Sequence, residues 1–289
     1  MSRRPHPPIP HRELPPARTV VVPGRGEMFL RDTGGDGEPV LLLHGWMVSA
    51  DLNWCGAYGA LAAAGHRVLA PDHRGHGRGI RSPEAFTLAG CAADAAGLLA
   101  QLGVAEAIIV GYSMGGAIAQ LLARDHPRLV SGIVLSGTSR HFQTEQMRRA
   151  WRWTWALGLA LAVAPRRTYA AGFRRLGIDA DGHGAWWLAE MLRSDPVAIA
   201  QAARELARFD SRPWLSAISA PCAVLVTSRD RSVPPAEQRE LARALGARVL
   251  EVPLDHLELT DRAEDFNPAL LEAVAAVSPA ERRPAPQAS

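Results

Sequence analysis

Short apolar runs alternating with stretches of helical periodicity constrain this chain more than any other feature. Val40-Leu41-Leu42-Leu43 has no polar position, which suits a strand buried on both faces rather than one with a face in water. Strand-like runs recur at Arg67–Ala70, Ala107–Val110, Val130–Leu135, Ala223–Val226 and Arg248–Val252. Helical patterns over Thr87–Leu102, Ser113–Arg124, Pro235–Leu245 and Pro268–Val277 fall between or after them. Such alternation builds a parallel sheet with right-handed crossovers. Thr19–Val22 and Met28–Arg31, around Pro23-Gly24-Arg25-Gly26, read instead as an opening antiparallel hairpin. Together these runs predict an α/β fold with a mostly parallel eight-stranded sheet flanked by helices.

The alternation breaks between Thr138 and Pro213, where Ala, Leu, Arg and Trp favour helix and no strand is evident. A helical excursion between two blocks of one sheet predicts a cap inserted after the sixth strand. The expected organisation is a core of residues 19–137 and 214–278, a cap of 138–213, and disordered extensions at 1–18 and 279–289.

Composition narrows the function. With 47% hydrophobic residues over 289 positions the chain can bury a large core, which excludes a mainly disordered protein. Cys55, Cys91 and Cys222 are too few and too scattered for a disulfide framework or a metal site, so a reducing compartment and no metal or cofactor are expected. All 32 basic residues are arginine, yet the net charge is only +3 and no basic run stands out, so nucleic acid is not an expected partner. Met1–Arg18 lacks the apolar stretch of a secretory signal, and the longest apolar run, Trp153–Pro165, falls short of the roughly 18 residues that span a bilayer. A cytoplasmic protein without a transmembrane segment is expected; the sequence leaves its oligomeric state open.

The sharpest local signal is Gly111-Tyr112-Ser113-Met114-Gly115-Gly116, between a buried strand and a helix. In that setting Gly-x-Ser-x-Gly makes a tight turn that thrusts the serine oxygen out at the top of the sheet. A serine hydroxyl needs a base, and the base needs an orienting carboxylate. Asp230 follows the strand Ala223–Val226, and His256 follows Arg248–Val252, in the loops where a parallel sheet builds its site. Asp255 and Asp261 are weaker candidates for the acid. The strand Val40–Leu43 ends in His44-Gly45-Trp46, and the amides of Trp46 and Met114 are the candidate donors to an oxyanion.

With these residues in place the chain resembles the α/β-hydrolase superfamily from about Thr19 to Val277, in its esterase, lipase and cofactor-free haloperoxidase-like branch. His44-Gly45-Trp46 resembles the oxyanion loop, Asp72-His73-Arg74-Gly75-His76-Gly77 a structured turn, and Gly111–Gly116 the nucleophile elbow. The resemblance implies Ser113, Asp230 and His256 as the triad. It departs from the family in placing Asp255, rather than a small residue, before the histidine.

The reading is a serine hydrolase of small-molecule carboxylic esters working through an acyl-enzyme. C–C bond hydrolysis and perhydrolase or haloperoxidase chemistry use the same triad, and a non-catalytic ligand-binding protein shares the same fold. Five of the eight tryptophans fall in the insertion, which carries twelve arginines against seven acidic residues. Trp153, Trp155, Trp186 and Trp187 are therefore candidate substrate-binding residues for an apolar acyl chain, beside the alternatives of a packed cap core or a surface in transient contact with lipid.

Overall fold

The computed structural model describes residues 14–279 apart from 152, 177 and 179–182. Eight strands form one sheet: β1 (Ala17–Val22), β2 (Gly26–Asp32), β3 (Pro39–Leu43), β4 (Arg67–Pro71), β5 (Ala107–Tyr112), β6 (Val130–Ser136), β7 (Cys222–Thr227) and β8 (Arg248–Val252). Their order is β1-β2-β4-β3-β5-β6-β7-β8. β1 pairs β2 and β2 pairs β4 antiparallel, and the remaining pairings are parallel. Helices α1 (Ala50–Trp54) and α2 (Tyr58–Ala63) follow β3, α3 (Leu88–Gln101) follows β4, and α4 (Met114–Asp125) follows β5. Between β6 and β7 come α5 (Glu145–Trp151), α6 (Thr154–Val163), α7 (Pro165–Leu176), α8 (His183–Met191) and α9 (Pro196–Arg208). After β7 and β8 come α10 (Pro235–Leu245) and α11 (Ala263–Val277).

The unbroken apolar strands have the consequence their sequence implies, because alternate residues feed two cores. Leu41, Leu43, Ile109, Leu135 and Val224 pack with α3, α4 and α10 on one face. Val40, Leu42, Ile108, Val110 and Leu225 pack with Trp54, Tyr58, Phe266 and Leu270 on the other. A third cluster joins Leu52 to Leu161, Tyr169, Phe173, Trp187 and Ile199 of the segment between β6 and β7.

Two boundaries differ from the sequence reading. β1 starts at Ala17, because the hairpin register continues to Ala17 opposite Arg31, and Arg18 forms an ion pair with Asp32. The expected extension therefore loses its last two residues to the sheet, while residues 1–13 and 280–289 lie outside the described residues. α11 starts five residues before Pro268, which reads as a helix start from sequence. Phe266, fully buried and one turn before Leu270, draws the earlier turn onto the sheet. Pro268 and Glu264 are exposed, so the carbonyl that Pro268 leaves without its usual partner lies on the solvent side.

A buried polar cluster ties the helical segment to the sheet. Arg78 Nη2 donates to Asp51 at 2.9 Å and to Glu190 of α8 at 2.8 Å, with its guanidinium 4.1 Å from the Phe29 ring centroid. Asp72 accepts the amides of Ala50 and Arg78, each at 2.7 Å. Ser49 Oγ donates to Glu190, and Trp46 Nε1 donates to the Ile199 carbonyl of α9 at 2.9 Å. Among the described residues no helix is long and apolar enough to cross a membrane.

Close approach, rather than turn geometry, fixes Gly115. A Cβ there would lie 2.0 Å from the Leu43 carbonyl oxygen, whereas one at Gly172 in α7 would meet nothing within 4 Å. Gly115→Ala is expected to lower stability by about 2 kcal/mol or more, and Gly172→Ala to raise it by about 0.5–1 kcal/mol through helix propensity. Urea unfolding midpoints of the two variants against wild type check both signs.

Candidate active site

Ser113 sits between β5 and α4 with φ +54° and ψ −115°. Among the described non-glycine residues only Ser113 and Met47, at φ +68°, have positive φ. Such conformations persist where the surroundings over-determine them. Ser113 N donates to the Ser136 carbonyl at 2.9 Å, and the Ser113 carbonyl accepts the Gly116 amide at 2.9 Å. Gly111 completes the turn, since a Cβ there would lie 2.4 Å from the Gly115 carbonyl oxygen.

The hydroxyl exposed by this turn meets a continuous hydrogen-bonded chain. Ser113 Oγ is 3.0 Å from His256 Nε2, and His256 Nδ1 is 2.7 Å from Asp230 Oδ2. Parallel pairing of β7 and β8, with Thr227 opposite Val252, sets the loops carrying Asp230 and His256 side by side. Asp230 is buried but well supplied with donors. Its Oδ1 accepts the amides of Ser232 and Val233 at 2.8 and 2.7 Å, and its Oδ2 accepts Thr227 Oγ1 at 2.8 Å and Gln238 Nε2 at 3.2 Å.

Asp255 has different partners. Its carboxylate accepts the amides of Arg231 and His256 and the Arg231 guanidinium, not the imidazole. Partial burial pushes this carboxyl upward, but the hydrogen bonds outweigh burial and its pKa lies below the usual carboxylate range. Asp255 therefore shapes the backbone at His256, and Asp230 is the acid on the ring.

The loop after β3 is held from beneath. His44 Nε2 accepts the His73 amide at 2.9 Å, so Nδ1 carries the proton and donates to the Gly45 carbonyl at 2.8 Å. Gly45 N donates to Asn53 Oδ1 at 2.7 Å, and a Cβ on Gly45 would stand 3.5 Å from the Ser113 Cβ. This places Trp46 beside Ser113. Met114 opens α4, where an amide has no partner within the helix.

A recess of about 50 Å³ opens at Ser113 and His256, with Trp46, Val48, Leu52, Trp187, Leu257 and Leu259 as its apolar lining. Of the candidate tryptophans, Trp187 lines the recess and is 6% exposed. Trp186 packs at the edge of the third hydrophobic cluster. Trp153 is 71% exposed at the start of α6 and does not line the recess. The side chain of Trp155 lies outside the described residues. Sequence reasoning missed Tyr112, whose hydroxyl donates to the His256 carbonyl at 2.5 Å, and Gln238, which braces Asp230. It also missed Asn53, which lines the recess with a buried Nδ2 lacking a partner among the described residues. Tyr112 was visible inside the Gly-Tyr-Ser motif; Asn53 and Gln238 carry no local signal.

The α/β hydrolase fold family model matches residues 38–173. A non-heme haloperoxidase from Rhodococcus erythropolis is 30% identical over 261 residues, spanning 85% of this chain and 94% of that protein. The solved structure of the putative non-heme bromoperoxidase BpoC from Mycobacterium tuberculosis H37Rv superposes with a TM-score of 0.70 at 30% identity, over 87% of this chain and 96% of its own. An enol-lactonase from Burkholderia xenovorans LB400 shares the fold, with a TM-score of 0.77 at 23% identity over 89% of this chain and all of that one.

The histidines beneath the site make stability depend on pH. Burial holds His44 down to about 4 and His76 down to about 3, and it holds His73 well below its ordinary value. In the unfolded chain each titrates near about 6.5, so below that pH the unfolded state binds protons that the folded state refuses. Their contribution is complete above about pH 6.5 and is lost as pH falls, by about 1 kcal/mol per pH unit for each ring. Urea unfolding at about pH 7.5, 6 and 5 is expected to show a falling midpoint; a constant one contradicts the neutral, buried cluster.

Proposed function

The chain belongs to the α/β-hydrolase fold family, and from that membership we propose that it is a serine hydrolase of carboxylic esters with Ser113 as nucleophile. The observation that carries this reading is the unbroken chain from Ser113 Oγ through His256 to Asp230. His256 Nε2 takes the serine proton as Oγ bonds to the ester carbonyl carbon, and Asp230 holds the resulting imidazolium through Nδ1. The amides of Trp46 and Met114 stabilise the oxyanion of the tetrahedral intermediate. The intermediate collapses by breaking the bond to the alcohol, which leaves with the proton from His256. Water, deprotonated by His256, then cleaves the acyl-enzyme by the same steps in reverse.

The apolar lining of the recess favours an apolar acyl group, with the segment between β6 and β7 acting as a cap through Trp187. A second reading keeps the same acyl-enzyme and replaces water by hydrogen peroxide, so that a peracid leaves. Similarity to the Rhodococcus erythropolis non-heme haloperoxidase favours it.

Ser113→Ala is expected to lower kcat on p-nitrophenyl esters on the order of 10⁵-fold while circular dichroism stays unchanged, because the triad acts as a unit. Asp230→Asn should cost far more than Asp255→Asn. Equal costs would place the acid wrongly. Halide oxidation in peroxide and carboxylate buffer, run beside ester hydrolysis, decides which acceptor is used.

The acyl group is tested by chain length. Each added methylene that reaches the recess is worth about 0.8 kcal/mol, so kcat/KM should rise about fourfold per carbon from acetate until the recess is full. Trp187→Ala should flatten that rise, and Trp153→Ala should leave it unchanged. A flat wild-type profile removes the apolar-acyl reading and leaves the serine mechanism standing.

A further inference from the structure

From Trp155 to Val163, α6 contains no polar side chain. A helix that is apolar all round belongs in a core or against a non-aqueous phase. This one buries only part of its surface. Leu161 packs with Tyr169, Phe173 and Trp187, but Leu159 and Val163, one turn apart, are 59% and 76% exposed. Trp153 stands exposed at the helix start.

The sequence on either side of this apolar face carries charge of one sign only. Residues 146–178 contain seven arginines and no acidic residue. Arg166 and Arg167 follow Val163 after Ala164 and Pro165 and are exposed in the first turn of α7, which has no acidic residue. Cations at that end of a helix oppose the helix dipole, so the fold gains nothing from placing them there. They have no ion-pair partner among the described residues.

We propose that the outer face of α6 and the first turn of α7 dock onto an anionic lipid surface. Trp153, Leu159 and Val163 enter the boundary between headgroups and acyl chains, and Arg166 and Arg167 face the lipid phosphates. An apolar face rimmed by arginine is the pattern of an interfacial helix. Three large apolar side chains fall far short of the roughly 20 residues per side that a stable dimer interface uses, which argues against a second copy as the occupant. The inner faces of α6 and α7 belong to the cluster containing Leu52 and Trp187, two residues of the Ser113 recess. Docking therefore brings the recess close to esters carried in the lipid.

The test is co-sedimentation of the full chain with phosphatidylglycerol-containing vesicles and with pure phosphatidylcholine vesicles. Binding to the first and not the second, weakening as salt is raised, is expected. Arg166→Gln with Arg167→Gln should weaken it on the order of tenfold, and Leu159→Ser with Val163→Ser by a similar factor. Both variants should keep wild-type circular dichroism and hydrolysis of a soluble ester, so failure of this surface is distinguishable from failure of the catalytic reading. Equal binding to the two vesicle types, no binding, or full binding by either variant overturns the proposal. So does a vesicle-free dimer that Leu159→Ser with Val163→Ser dissociates. The salt dependence of the wild type stands whether or not the variants fold.

Discussion

Gly115 lies so close to the end of β3 that a Cβ would come within 2.0 Å of the Leu43 carbonyl oxygen. That approach sets the depth of α4 against the sheet, and the depth sets everything at its amino end. Ser113 must then turn through positive φ to connect β5 to the helix, which lifts its hydroxyl clear of the sheet. It also brings the Met114 amide level with the loop after β3, where Gly45 stands beside the Ser113 side chain. Moving the helix outward by the width of one methyl group would carry Ser113, the proposed nucleophile, and the Met114 amide away from the Trp46 amide on the loop after β3.

The loop after β3 depends in turn on groups with no role in bond making. His44 links the His73 amide to the Gly45 carbonyl in one tautomer, which only a neutral ring can supply. Asp72 binds the Ala50 amide at the start of α1 and the Arg78 amide. Arg78 then joins Asp51 to Glu190 of α8, the helix that carries Trp187. Buried charges are tolerated when each has a partner, and here the partners come from both sides of the recess. One polar cluster thus positions the loop under the site and the helix over it.

Some of this architecture was legible in the chain and some was not, for reasons of range. Ser113 announced itself because its turn is local: strand, glycines and helix lie within a few residues. Asp230 and His256 were legible because the strand alternation places both on loops after neighbouring strands, although they are 26 residues apart. Arg78 and Glu190 are 112 residues apart, and no local pattern announces their ion pair. Asn53, which holds the Gly45 amide, reads from sequence as an ordinary residue of a short helix. The tryptophans were hard to tell apart for a different reason. Composition counts large apolar side chains but not their direction, so exposed Trp153 and recess-lining Trp187 looked alike.

Two carboxylates adjoin His256, and hydrogen-bond supply divides their work. Asp230 takes four donors from the end of β7, its own loop and α10 besides the imidazole, which fixes its Oδ2 toward Nδ1 and leaves Nε2 directed at Ser113. Asp255 spends its oxygens on Arg231 and on the His256 amide. An acid directly before the histidine could have competed for the ring and turned Nε2 away from the serine. Arg231 prevents this by engaging that acid from the solvent side. Tyr112 completes the restraint by holding the His256 carbonyl, so the backbone is pinned at both its amide and its oxygen. With the backbone fixed and the Tyr112 ring 5.1 Å from the imidazole, the hydrogen bonds of the ring nitrogens among the described residues go to Asp230 at one and Ser113 at the other.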